Sequence, residues 1–214
     1  METARLVLDY IEALIWPVFA LIILFMFRSQ ISNLITRLKK VDLPGGISAE
    51  AFQEKIRATE TLSLEVVKEQ RPKSEKKGPD IPLTEANARM INVGLAPTPT
   101  GLELSRYRIL AEEDPQLALA GLRIELETML KNVAKGFKIP VGERDSAGVI
   151  TRKLHEHGAI TSLQAKLINA VLDLCNAAVH GQRVTQVQVG NILDTAAILR
   201  DDYISWLSWG FPKK

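Results

Sequence analysis

The stretch DPQLALAGLRIELETMLKNVAKGF, Asp114–Phe137, decides the fold. Asp114 has the short acceptor side chain that a helix N-cap needs. Pro115 follows at a position where its fixed φ suits a helix and its missing N–H costs nothing. Leu119, Leu122, Leu126, Met129, Leu130 and Val133 then recur every three or four residues. That is the period of an α-helix with one apolar face. Gly136 reads as the stop.

Downstream the same period continues. Pro140 to Gly148 reads as a loop. Val149, Ile150 and Leu154 mark a second helix that ends at His157-Gly158. Thr161 caps a third, carrying Leu163, Leu167, Ile168, Val171, Leu174 and Cys175, and Gly181 ends it. Thr185 caps a fourth, with Val189, Ile192, Leu193, Ala196, Leu199, Tyr203 and Leu207 on its inner face. VTQVQVG at 184–190 alternates like a strand but runs straight into this helical pattern, so no strand is expected. The expected fold class is all-α. Residues 105–209 form an antiparallel helical bundle and 210–214 a tail. Trp206, Trp209 and Phe211 either close the end of the core or form an exposed aromatic anchor.

Upstream the character changes. Lys68 to Asp80 reads KEQRPKSEKKGPD, and Pro, Thr, Asn and Gly stay frequent to about Pro99. Residues 68–104 are therefore expected to be a flexible linker with a reach of roughly 30–35 Å. Residues 29–67 read as juxtamembrane helices. Ile31, Leu34, Ile35 and Leu38 have helical spacing, Leu43-Pro44-Gly45-Gly46 is a break, and Ser48 caps a helix with Ala51, Phe52, Ile56 and Ala58. The stripe over 31–41 suits either a lipid surface or a short coiled coil with a second copy.

Residues 1–28 read as a transmembrane anchor. Ala13–Phe27, ALIWPVFALIILFMF, carries no charge and spans about 22 Å as a helix. Tyr10 and Ile11 lengthen it towards the roughly 30 Å of a bilayer core. Tyr10 and Trp16 suit the interface belt. Every face is apolar, which argues against a core helix. Glu2, Asp9 and Glu12 argue against a cleaved signal peptide. Arg28, Arg37, Lys39 and Lys40 follow the helix and only Arg5 precedes it. The positive-inside rule therefore places the C-terminal bulk in the cytoplasm and the N-terminus outside.

Composition bounds what this domain does. The 214 residues hold 27 Lys+Arg against 25 Asp+Glu, net +2. No strongly basic surface argues for nucleic acid from charge alone. One cysteine excludes a disulfide framework and a four-cysteine zinc site. There is no Walker A loop and no GxGxxG, and Gly45-Gly46 lacks the following Lys-Ser/Thr. His155 and His157, two apart, face different sides of a helix and do not make a metal pair. No cofactor and no metal is expected. Cys175 lies on an apolar stripe and reads as core, and Arg123 with Glu127 reads as an i, i+4 ion pair.

Asn176 and His180 stand out. They are four apart on one helix face, with small residues between them. A histidine there can also serve the terminal carbonyls of its helix. With the opening Asp114-Pro115, Arg123-Ile-Glu125-Leu-Glu127, the middle His155-Glu-His-Gly158 with Ile160, and the closing Asn176 and His180-Gly181, residues 105–205 resemble the HEPN superfamily, in a bacterial branch of unknown function. The resemblance implies a dimer. In active members it implies a metal-independent ribonuclease whose Arg and His converge on an RNA phosphate. A histidine supplies an acid or base near neutral pH, and an arginine a fixed cation. Here Cys175 occupies the arginine position, leaving Arg183 or Arg123 as substitutes.

The resulting expectation is a single-pass protein of a bacterial inner membrane. Its cytoplasmic HEPN-like domain is non-catalytic, dimerises, and recruits a protein or RNA partner, as in a stress or phage-defence system. The alternatives are a ribonuclease using His180, Asn176 and one of these arginines, and a scaffold that oligomerises through 31–41.

Overall fold

The computed structural model describes residues 48–70 and 81–209. The apolar stretch Ala13–Phe27, the stripe at 31–41 and the tail at 210–214 lie outside them. Among the described residues all regular structure is helical, and no helix is long and apolar enough to cross a membrane.

Seven helices appear among those residues. They are α1 (Ala49–Gln70), α2 (Leu83–Asn92), α3 (Ser105–Glu113), α4 (Pro115–Gly136), α5 (Ala147–Glu156), α6 (Ser162–Val179) and α7 (Gln186–Trp209). The central element is α4, which packs on α3, α5, α6 and α7. The Asp114 side chain accepts from the N–H of Gln116 (3.0 Å) and Leu117 (2.9 Å), the cap expected from Asp-Pro. All six apolar residues expected on its inner face are buried.

The other caps follow the sequence. Thr161 and Gln164 exchange bonds in a capping box at the start of α6. Thr185 and Gln188 do the same for α7, at 3.3 and 2.9 Å. Ser146 caps α5, and Ser48 Oγ accepts from the N–H of Ala51. VTQVQVG resolves as this cap and the first turn of α7. The seven apolar residues expected on the inner face of α7 are all buried. The stop of α4 differs from expectation. Gly136 is still helical, and Lys138 takes the left-handed conformation at φ 58°. The N–H of Ile139 then reaches the carbonyl of Ala134 at 2.8 Å, closing a Schellman turn around a lysine.

Long-range bonds fix the helix directions. Gln116 Nε2 donates to the carbonyl of Gln182 at 3.0 Å, so the start of α4 meets the end of α6. Gln164 Nε2 donates to Asp202, so the start of α6 meets the end of α7. Helix α6 thus runs against both of its long neighbours, as the antiparallel reading requires.

The domain is larger than the sequence pattern suggested. Helix α1, expected as juxtamembrane, packs on α6 and α7. It buries Phe52, Ile56, Thr59, Ser63 and Val66, a four-three-four-three spacing. Thr59 and Ser63 escaped the apolar count because they are polar. Their hydroxyls donate back to the carbonyls of Lys55 (2.7 Å) and Glu60 (2.6 Å), which makes them admissible in the core. Ala58 instead faces solvent. Gln188 Nε2 donates to Gln53, and Thr161 Oγ1 to Glu69, which tie the two ends of α1 to the bundle.

The flexible linker expected over 68–104 is corrected in its second half, while 71–80 lies outside the described residues. Residues 83–92 form α2, and Ala86, Met90, Leu95, Leu102 and Leu104 enter the core. Their polar and turn-forming neighbours hide this apolar set from a composition count. The bundle therefore does not begin at 105, and its core draws on the chain from Phe52 onward.

Candidate functional site

The face singled out by Asn176 and His180 is built by the end of α6. His180 is the C-cap of that helix, its N–H donating to the carbonyl of Asn176 at 2.9 Å. Gly181 takes φ 98°, and the Gln182 N–H returns to the carbonyl of Ala177 at 2.9 Å. This is again a Schellman turn, and it requires a residue that tolerates the left-handed region. The backbone of the His-Gly pair thus ends the helix, at the Gly181 stop expected from the sequence. The histidine side chain remains exposed and Asn176 is half-buried.

Cys175 is fully buried, and removal from water pushes its thiol up to about 12. The charge of Arg123 on α4 acts in the opposite direction, lowering it. Burial dominates, and the sulfur stays a neutral thiol across physiological pH. Arg123 is ion-paired with Glu127 at 3.2 Å, the expected i, i+4 bridge. Arg183 is exposed two residues beyond the Gly181 turn.

The four candidate residues therefore differ in setting. Asn176 and His180 share the end of α6. Arg123 lies on α4 with its charge already met by Glu127. Arg183 lies on the surface between α6 and α7. A neutral, buried Cys175 sits where the resemblance calls for the cation. His155 Nδ1 lies 3.3 Å from the carbonyl of Ile160, and His157 Nδ1 lies 2.8 Å from that of Lys153. The His157 ring meets a carbonyl of its own helix end, and the His155 ring a carbonyl of the loop that follows. No group of three potential metal ligands occurs among the described residues.

A second polar constellation lies inside the domain, and the sequence reading did not isolate it. Glu125 and Asn132 are seven apart on α4, on a face that is otherwise apolar, and both are buried. The Glu125 carboxylate accepts from the N–H of Thr100 (3.0 Å), the N–H of Leu102 (3.1 Å) and the hydroxyl of Tyr107 (3.0 Å). Asn132 takes the N–H of Ala96 at 3.0 Å and donates to the Ala96 carbonyl at 2.8 Å and to Tyr203 Oη at 3.0 Å. Tyr203 Oη donates in turn to Met90 Sδ at 3.0 Å. Burial, reinforced by the nearby Glu125 carboxylate, raises the hydroxyl pKa of both tyrosines, so both remain protonated donors. These two side chains staple the 95–102 segment to α4. Two polar residues at i and i+7 within an apolar stripe were the available signal.

A cleft between α4, α6 and α7 is lined mainly by Leu130, Val133, Ile168, Leu199 and Trp206, with Asp202 and Gln164 at its polar side. The Trp206 ring meets Phe137 edge to face at 6.3 Å. Half-buried Trp206 thus packs against the core, while Phe211 and the Trp209 side chain lie outside what is described.

No family model, curated protein or solved structure matches this chain.

Proposed function

We propose that this chain is a membrane-tethered helical module that dimerises and recruits a protein or RNA partner without cleaving it. The supporting observation is Cys175. The resemblance to HEPN ribonucleases calls for a cation there, and a fully buried neutral thiol cannot stabilise a phosphorane. Arg123, one of the two substitutes, already has its charge opposed by Glu127. The tether is read from Ala13–Phe27, and the cytoplasmic side of an inner membrane from Arg28, Arg37, Lys39 and Lys40. Because α1 belongs to the folded domain, the connection from Phe27 to Ser48 is shorter than the linker expected at 68–104.

The test is growth and RNA integrity on overexpression, comparing the chain with its His180→Ala variant at equal protein level. Intact RNA and equal growth are expected. Toxicity with fragmented RNA that disappears in His180→Ala would overturn the non-catalytic reading in favour of a ribonuclease. Extraction by alkaline carbonate tests the tether separately, since a membrane-spanning chain stays in the pellet.

A further inference from the structure

The segment stapled by Glu125 and Asn132 also has an outer side. Met90–Leu102, MINVGLAPTPTGL, carries no charged residue. Leu95, Thr98 and Leu102 are buried, while Ala96, Pro97 and Pro99 are exposed. At its start Ile91 and Val93 are 63% and 58% exposed, around the end of α2. Single exposed apolar residues need no explanation. Here they belong to one segment whose backbone is fixed from beneath. Asn132 holds the N–H and carbonyl of Ala96, Glu125 the N–H groups of Thr100 and Leu102, and Lys135 Nζ the carbonyl of Gly94 at 2.6 Å. A loop fixed in advance loses little conformational freedom when it binds.

The free charges flanking this segment have one sign. Lys131 and Lys135 are exposed and one turn apart on α4. The bond from Lys135 to a neutral carbonyl sets its ammonium at the Val93-Gly94 turn and leaves the charge in place. The carboxylates nearest in sequence are already opposed, Glu85 by Arg89, Glu103 by Arg106 and Glu127 by Arg123. An uncharged loop with apolar tips beside ammonium groups suits a bilayer interface rich in anionic headgroups. The apolar side chains enter the boundary, and the lysines stay at headgroup level. The 20 residues between Phe27 and Ser48 can extend to at most roughly 70 Å. That is about twice the length of α4, so a tethered domain can bring this side to the bilayer.

We infer that the 91–99 segment, with Lys131 and Lys135, docks the domain on an anionic lipid surface. This inference rests on the tether reading above and names the face that meets the lipid. The full chain is tested after reconstitution into phosphatidylcholine vesicles with or without phosphatidylglycerol. Asn92→Cys carries an environment-sensitive fluorophore between Ile91 and Val93. The site is exposed, and buried Cys175 does not compete for the label.

With phosphatidylglycerol the emission should shift to the blue, and spin-labelled acyl chains should quench it. Phosphatidylcholine alone should leave the probe in water, and added salt should weaken the shift. Ile91→Asp should abolish it. Lys131→Gln and Lys135→Gln should each lower the docked-to-free ratio about fivefold, and the first of these leaves the Lys135–Gly94 bond intact. An equal shift without phosphatidylglycerol, or one indifferent to both lysine variants, would overturn the anionic surface as occupant. A shift that grows with protein concentration and escapes quenching by labelled chains would overturn lipid in favour of a protein contact. A probe that stays in water while the chain resists alkaline carbonate would overturn this face and leave the tether standing. Release of the chain by carbonate would overturn the tether, and this inference with it.

Discussion

Glu125 Oε1 accepts the backbone N–H of Leu102 at 3.1 Å, although Leu102 is a buried, non-glycine residue at φ 68°. A side chain with a Cβ avoids that conformation unless its surroundings compensate. Here the same carboxylate takes the N–H of Thr100, and Thr98 Oγ1 also accepts from Leu102 at 3.0 Å. The buried carboxylate and the left-handed turn hold each other in place. Replacing Glu125 by Ala should orphan the donors of Thr100 and Tyr107 together and leave the Leu102 N–H with Thr98 Oγ1 alone. The expected loss is about 3 kcal/mol or more, read as a lower urea midpoint of the full chain. Glu125→Gln keeps one acceptor oxygen and should lose less.

Gly121 sits in the interior of α4, where glycine is unfavourable. A Cβ at this position would lie 2.4 Å from Tyr107 Cε1, so the ring that donates to Glu125 occupies the space of the missing side chain. Gly121→Ala should therefore destabilise by about 1–3 kcal/mol, despite the better helix former. In a Tyr107→Ala background the collision is gone, and the same substitution should stabilise by up to about 1 kcal/mol. A thermal-melt double-mutant cycle reads this reversal of sign.

Asp145 closes the loop before α5, accepting from Lys153 Nζ at 2.8 Å and from the N–H of Gly142 at 2.9 Å. The Lys153 bond and then the Gly142 bond hold its carboxyl below the usual value. A depressed folded pKa gives stability that is present above the ordinary carboxylate range. It is lost as pH falls through the lowered value. The stability advantage of the natural chain over Asp145→Asn should shrink on acidification through that range and be flat at neutral pH. Paired denaturation midpoints against pH check it.

Cys175 should resist alkylation at pH 8 in the folded chain, because its thiol is buried and stays protonated with a pKa near 12. Labelling should proceed only through opening of the domain and speed up with sub-denaturing urea. Cys175→Arg, which installs the cation of the resemblance, should destabilise by several kcal/mol rather than create activity. A circular-dichroism melt measures the loss.

The sequence made the bundle legible from Asp114 onward because each helix there carries its own punctuation. Asp114-Pro115, Thr161 with Gln164, and Thr185 with Gln188 are local signals, and a period of 3.6 residues needs no partner to be seen. The same logic failed over 81–104. That segment is only partly helical, and its apolar residues, Met90, Leu95, Leu102 and Leu104, are widely spaced. The segment is held by hydrogen bonds that join Met90, Ala96, Thr100 and Leu102 to side chains more than twenty residues away in the chain. Thr59 and Ser63 in α1 escaped for a related reason: hydroxyls that bond to their own helix can take core positions meant for apolar side chains. Within the candidate site, the spacing of Asn176 and His180 was readable, as was the Arg123–Glu127 pair. That the charge of Arg123 would act on Cys175 was not.

The sequence by itself determined what is local here: the helical class, the caps that start α4, α6 and α7, the Gly181 turn, and the apolar faces of those helices. Capping bonds and helical periodicity act within a few residues, so composition and spacing record them directly. Tertiary structure alone decided how far the domain extends, because α1, α2 and the 95–102 segment gain their stability only by packing on α4, α6 and α7. It also decided that Glu125 and Asn132 point inward as staples and that Ile91 and Val93 remain outside. Burial and donor pairing depend on which distant surfaces meet, and no pattern confined to one helix contains that information.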